Sequence, residues 1–350
     1  MKKLVLHLGL PKTASTSIQE TFSRNPAPLS KANYSYAKIA WPDGSFNSNH
    51  GIPMTVAFSD NWAGIQEIVR RGLPSDGLRE HFLIQIKKAM KTDGNVIFSG
   101  ENIPILPEAG LKSFCDLASG MGFEVLPIMF VRSPLEFITS MSQTRVRHGQ
   151  PYAVRKIGTS ERISKCLKLW SNMQCIPFGQ SIRPPFSPFR VLIDLLGIGK
   201  LEDFKTINSN ESLSDYSLRI IGFINQKIPL IVNGTLNPNR KYLDTAPLEA
   251  IKGEKFKLTK KELEDIFEFT VQENIALSEL LGPQYCDLTL DCPDEHPPWT
   301  AEAMSHLKIA MEKLPAALNA CIYSYFSGPN AISVAERKLA AEILAKGGSI

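Results

Sequence analysis

Residues 2–22, Lys-Lys-Leu-Val-Leu-His-Leu-Gly-Leu-Pro-Lys-Thr-Ala-Ser-Thr-Ser-Ile-Gln-Glu-Thr-Phe, carry the reading that decides the fold. Leu4 to Leu8 is a short, nearly continuous apolar run bounded by Gly9, the pattern of a strand buried on both faces. Gly9 to Ala14 reads as a tight loop, and Ser15 to Phe22 as the start of a helix whose first N–H groups point back at that loop. An anion docked there would meet backbone donors, the Lys12 ammonium and up to four hydroxyls, from Thr13, Ser15, Thr16 and Ser17. The competing reading is a plain strand-to-helix turn capped by a hydroxyl residue.

Working outward, Phe123 to Arg132 reads as a second buried strand running into Ser133-Pro134 and a helix that carries Ser140, eight residues beyond Arg132. A guanidinium offers fork geometry to a phosphate, and a helical serine can add a hydroxyl donor. A third strand, Asn95 to Phe98, closes on Ser99-Gly100-Glu101-Asn102, and a fourth is expected near Cys175 to Phe178. Helical spacing puts Phe82, Leu83, Ile86 and Met90 on one face of 78–90. Further helices are expected over 152–170 and 189–196, with a polar, aromatic loop over 33–49 that turns at Trp41-Pro42-Asp43-Gly44. Strands alternating with helices predict an α/β class, a three-layer fold in which a central parallel sheet is flanked by helices and binds its ligand beyond the strand C-termini. The three prolines of 291–298 suggest a linker, followed by helices over 301–314, 316–326 and 333–346. The expected division is an α/β domain over 1–290 and a Pro-rich linker with a helical C-terminal extension over 291–350.

The stretch Pro11-Lys12-Thr13-Ala14-Ser15-Thr16-Ser17 resembles the 5′-phosphosulfate loop of sulfotransferases that use 3′-phosphoadenosine 5′-phosphosulfate, PAPS. Arg132 with Ser140 resembles the same family's 3′-phosphate clamp, an arginine at a strand end and a serine eight residues on. More diffuse matches, Asn-Glu-Ser-Leu-Ser over 210–214 and Phe256-Lys257-Leu258, resemble the bacterial carbohydrate or polysaccharide type, and the C-terminal helices fall outside the resemblance. The family usually has glycine where Ala14 stands; alanine tolerates helical φ/ψ and keeps its amide, so the change is expected to be mild. The resemblance implies a P-loop-like fold and PAPS as co-substrate, held by Lys12, Thr13, Ala14, Ser15, Thr16, Ser17, Arg132 and Ser140, with no metal. It implies transfer of a sulfonate to a hydroxyl of an acceptor, here a carbohydrate such as a polysaccharide or glycolipid.

Such a transfer needs positioning, positive charge on the leaving phosphate and a base. Lys12 is the expected charge stabiliser. Two residues compete as catalytic base: Glu101, in a Ser-Gly-Glu that resembles the Ser-Ser-Glu of bacterial relatives, and His50, in the loop Phe-Asn-Ser-Asn-His-Gly, since cytosolic sulfotransferases use a histidine. His7 reads as a core histidine, while His81, His296 and His306 have no evident partners. Tyr34, Tyr36 and Trp41 either stack on sugar rings or pack beneath their loop. Arg145, Arg147, His148, Arg155 and Lys156 form a basic cluster, either a solvated helix face or a guide for an anionic sugar.

A formal net charge of +4, 43% hydrophobic and 21% charged residues describe an ordinary globular chain and give no ground for a nucleic-acid partner. The six cysteines lack a CxxC pair and read as reduced thiols. No apolar run reaches the roughly 18 residues of a membrane span, so no transmembrane segment and a cytoplasmic place are expected. The helical tail either packs on the core or mediates self-association, which leaves a homo-oligomer open. Two other functions compete. A P-loop-like kinase needs four residues between its first glycine and a Gly-Lys-Ser/Thr triplet, yet only Leu10 and Pro11 separate Gly9 from Lys12. A nucleotide-binding scaffold without catalysis would not require both Lys12 and Glu101.

Overall fold

The computed structural model describes residues 1–62, 65, 67–68, 71–73, 76–183, 187–207, 212–232, 235–240, 244–286, 291–328 and 333–344. The chain forms two compact units, one of residues 1–134, 158–210 and 273–287, the other of 135–157, 211–272 and 288–350.

The first unit is built on a five-stranded sheet. Its strands are β1 (Lys2–Leu8), β2 (Tyr34–Tyr36), β3 (Asn95–Gly100), β4 (Phe123–Val131) and β5 (Gln174–Pro177), in the order β2-β3-β1-β4-β5. Every pair is parallel. Helices α1 (Ser15–Arg24), α2 (Pro26–Lys31), α3 (Gly51–Phe58), α4 (Leu78–Met90) and α5 (Glu108–Gly120) supply the crossovers up to β4. The alternation of β1 sorts its side chains between two layers. Leu4, Leu6 and Leu8 join Met54, Phe82, Ile86 and Phe114 in one core. Val5 faces Ile18, Phe22 and Phe130 in the other. Leu6 is fully buried, and trimming such a side chain to alanine costs about 2–5 kcal/mol.

The expected α/β class with a central parallel sheet and helices on both faces is what the first unit shows. Differences lie in the connections. The segment 33–49 holds β2, and α3 follows it; 152–170 is helical only over Ser160–Leu169, since Pro151 and Gly158 interrupt the pattern.

Among its described residues the second unit has no sheet of that kind. Helix Asp215–Lys227 packs Ile220, Ile221 and Ile224 with Met304, Leu307, Leu318 and Ile322 from helices Ala301–Met311 and Ala316–Ser327. The expected boundary at residue 290 is therefore not where the chain divides: the helical tail shares a core with residues 211–272. The proline-rich segment is not a free linker either. Asp291 pairs with Lys257, Asp294 with Lys260, and the Pro297 carbonyl accepts from Arg219.

His296, expected to lack partners, is the centre of this fastening. Its Nδ1 lies 2.7 Å from Asp215 Oδ2 and its Nε2 3.4 Å from Glu262 Oε1, while Tyr152 donates to the same Glu262 oxygen at 2.6 Å. Arg219 Nε stands 2.6 Å from the other Asp215 oxygen. Burial alone would lower the imidazole, but hydrogen bonds to Asp215 and Glu262 and their charges outweigh it and raise its pKa to about 9. Burial likewise pushes Glu262 up, yet His296, the Thr259 amide and Tyr152 bring it down to about 2.

A histidine raised from 6.5 to about 9 stabilises fully below 6.5 and loses that contribution as pH climbs through about 9. The loss should amount to about 3 kcal/mol. Denaturant unfolding of wild type and His296→Gln across that range checks it. The wild type should show the loss and the variant should not, whereas equal pH slopes would contradict the assignment.

Candidate anion site at the strand ends

β1 is the middle strand, paired with β3 on one side and β4 on the other. Its register against β3 sets His7 opposite Ser99 and Leu8 opposite Gly100, and the Gly9 N–H extends the ladder to the Gly100 carbonyl at 3.2 Å. The loop therefore leaves β1 directly over Glu101. A Cβ at Gly9 would sit 2.8 Å from Ser15 Oγ and 3.3 Å from the Glu101 Cα, which explains the glycine. Gly100 is held for a similar reason, since a Cβ there would come 2.5 Å from the Gly51 nitrogen at the start of α3.

To reverse into α1 within six residues, the chain adopts left-handed backbone at two residues that have a Cβ, Lys12 (φ 66°) and Ala14 (φ 59°). Ala14 is not in the helical region that would make its replacement of glycine mild. Left-handed backbone costs an L-residue about 1–2 kcal/mol. What the turn provides is direction. Left-handed Ala14 followed by right-handed Ser15 is the pairing that aims successive amides at one point, a nest for an anion. The first α1 bond runs from Ile18 N–H to the Ala14 carbonyl, so the amides of residues 15–17 precede the helical ladder and face the loop.

The four expected hydroxyls divide. Thr13 Oγ1 donates to the Leu10 carbonyl at 2.7 Å, and Ser15 Oγ donates to the same oxygen at 3.3 Å. Both side chains are buried. They tie the loop to itself, while Thr16 and Ser17 stay half-buried. For Thr13 and Ser15 the ligand contact would come from backbone.

Arg132, just beyond β4, donates Nη1 to the Lys12 carbonyl at 3.0 Å and lies 5.2 Å from the Phe178 ring centroid. In a trans peptide the C=O and the next N–H point oppositely, so this bond fixes the direction of the Thr13 amide. The structure thus brings Arg132 to the Lys12 loop. Ser140 stands half-buried on helix Pro134–Arg147, in the part that belongs to the second unit. Spacing along the chain is what links it to Arg132.

Glu101 completes the group. Burial pushes its carboxyl above the ordinary carboxylate value of 4.5, and the Lys12 charge pulls the other way without cancelling the shift. One ammonium, one guanidinium, a row of amides and a carboxyl with a raised pKa suit a site that holds an oxyanion and takes up a proton beside it.

His50 is elsewhere. It is fully buried, its Nδ1 accepts the Ser99 N–H at 3.0 Å, and its ring packs against Tyr36 and Phe98. Burial lowers its pKa to about 4, the Ala37 carbonyl opposing the drop. Trp41 and Tyr34 are also buried, which places them beneath their loop rather than on an open face. His7 is in the core as expected. Sequence reasoning missed its role: Ser99 Oγ lies 2.7 Å from His7 Nδ1 and accepts from Gln19 Nε2 at 3.1 Å, joining β1, β3 and α1 under the loop. The available signal was three polar residues inside otherwise apolar patterns.

Relief of the left-handed alanine makes Ala14→Gly more stable than wild type by about 0.5–1 kcal/mol, and a β-branched residue in Ala14→Val less stable by at least that much. Chemical denaturation measures both. Destabilisation by glycine as well as by valine would refute the left-handed assignment.

No protein-family model matches the chain, and searches of curated proteins and of solved structures likewise find no match.

Proposed function

We propose that this chain is a sulfotransferase with a P-loop-like fold that moves a sulfonate from PAPS to a hydroxyl, most naturally that of a carbohydrate. The observation that carries the reading is the convergence of three charged side chains from three neighbouring strand ends. Glu101 follows β3, Lys12 follows β1, and Arg132 follows β4 and is bonded to the Lys12 backbone. The loop motif and its resemblance to the phosphosulfate loop add the choice of donor.

In the proposed reaction the acceptor oxygen attacks sulfur in line, the S–O bond to the 5′-phosphate breaks, and the acceptor proton passes to Glu101. Negative charge gathers on the leaving phosphate oxygen, where Lys12 and the amides of residues 15–17 oppose it. Arg132 keeps the Lys12 peptide oriented and contributes positive charge. Glu101 suits the base better than His50, because it is near Lys12 and has a raised pKa, whereas His50 is enclosed. No helix among the described residues is long and apolar enough to cross a membrane, and all six cysteines are free, which fits a reducing compartment such as the cytoplasm.

Incubation with radiolabelled PAPS and a panel of polysaccharides, glycolipids and simple alcohols tests the reading, with Lys12→Ala and Glu101→Gln alongside. Lys12→Ala should lose about two to three orders of magnitude in rate. Wild-type activity should rise with pH as Glu101 loses its proton, along an acidic limb lying above the ordinary carboxylate range, and Glu101→Gln should lack that limb. Adenosine 3′,5′-bisphosphate should raise the melting temperature more than ATP with magnesium. A larger shift with ATP, or a Lys12→Ala rate near wild type, would overturn the proposal.

A further inference from the structure

The sheet ends at β2, but the layers on either side of it do not. A cleft of about 630 Å³ runs along the outer edge of β2, with Pro26 and Ser30 of α2 on one wall and Gln85 and Lys88 of α4 on the other. Its floor is the strand itself, Tyr34, Ser35 and Tyr36. Two bonds show which way this strand faces. The Asn33 carbonyl accepts from Asn95 N–H at 2.9 Å, and Ala37 N–H donates to the Ile97 carbonyl at 3.0 Å, so the odd-numbered residues pair with β3. Alternation then turns the N–H and C=O of Tyr34 and Tyr36 outward, where the sheet has no further strand among the described residues. The cleft is therefore a slot between two helical layers with main-chain donors and acceptors along its floor.

Charge restricts what fits. Exposed Lys38 and Lys88 line the slot, and its described lining includes no aspartate or glutamate. Lysines at an edge disfavour pairing with a second copy of the same edge, because like charges would meet. They favour a strand that carries acidic side chains. Phe46, 64% exposed on the rim, offers an apolar face to such a strand's alternate residues.

We propose that this slot is a strand-addition site: an extended peptide segment bearing acidic side chains pairs its backbone with Tyr34 and Tyr36 as a sixth strand. The inference stands independently of sulfonate transfer. It is tested on the full chain by fluorescence anisotropy with a labelled peptide of alternating valine and threonine flanked by glutamates. Saturable binding is expected. N-methylation of one alternate set of its amides should weaken binding about tenfold, and methylation of the other set should leave it unchanged. The surface variants Lys38→Glu and Lys88→Glu, with melting temperatures near wild type, should weaken it as well. Absence of saturable binding, equal effects of the two methylated sets, or displacement of the peptide by a hexuronate oligosaccharide would overturn the proposal.

Discussion

The register of β1 against β3 is the constraint from which the rest of the site follows. With Leu8 opposite Gly100, the chain leaving β1 has Glu101 immediately beside it and no room for a side chain at Gly9. A slip of one residue would turn the leucines of β1 to the wrong layer, so burial on both faces holds the register in place. Because β1 is flanked on both sides, groups at the ends of β3 and β4 are automatically its neighbours. The strained turn at Lys12 and Ala14 is a consequence: the loop has six residues in which to reverse, and left-handed backbone is how it does so. The strain is offset by the Thr13 and Ser15 bonds to the Leu10 carbonyl and by the Arg132 bond to the Lys12 carbonyl. Strain held this way by surrounding bonds is characteristic of binding loops.

The histidines show how the same burial gives opposite outcomes. His7 and His50 are enclosed among Ser99, Gln19 and aromatic rings with no carboxylate among the described residues bonded to either, and both are driven down to about 4. They are neutral fixtures of the β1–β3–α1 junction. His296 is enclosed between two carboxylates and is driven up to about 9. It is a charged clasp on the proline-rich segment. Partner, not burial, decides the sign.

Much of this was legible in the chain. β1, its loop, α1, β3 and β4 follow from short apolar runs that end in polar clusters, and Leu78 to Met90 reads as a helix with the boundaries it has. Lys12, Arg132 and Glu101 were legible as strand-end residues. Their contact was not, because Arg132 and Lys12 are 120 residues apart and meet only once β4 is set beside β1. The left-handed conformation of Ala14 leaves no trace in a residue that is not glycine. Three-residue β2 alternates Tyr-Ser-Tyr inside a polar loop, too short for a period to register. The boundary at 290 misled because prolines mark a break in regular structure, and they carry no sign of the distant groups that Asp291, Asp294 and His296 bind.

The central claim is that one anion sits on the Lys12 loop with Arg132 and Glu101 around it. A crystal structure of the protein with adenosine 3′,5′-bisphosphate tests it most directly. The account predicts a phosphate within hydrogen-bonding distance of Lys12 Nζ and the amides that open α1, with the Arg132–Lys12 carbonyl bond intact. Nucleotide bound away from that loop, or a saturated crystal with none bound, would contradict it.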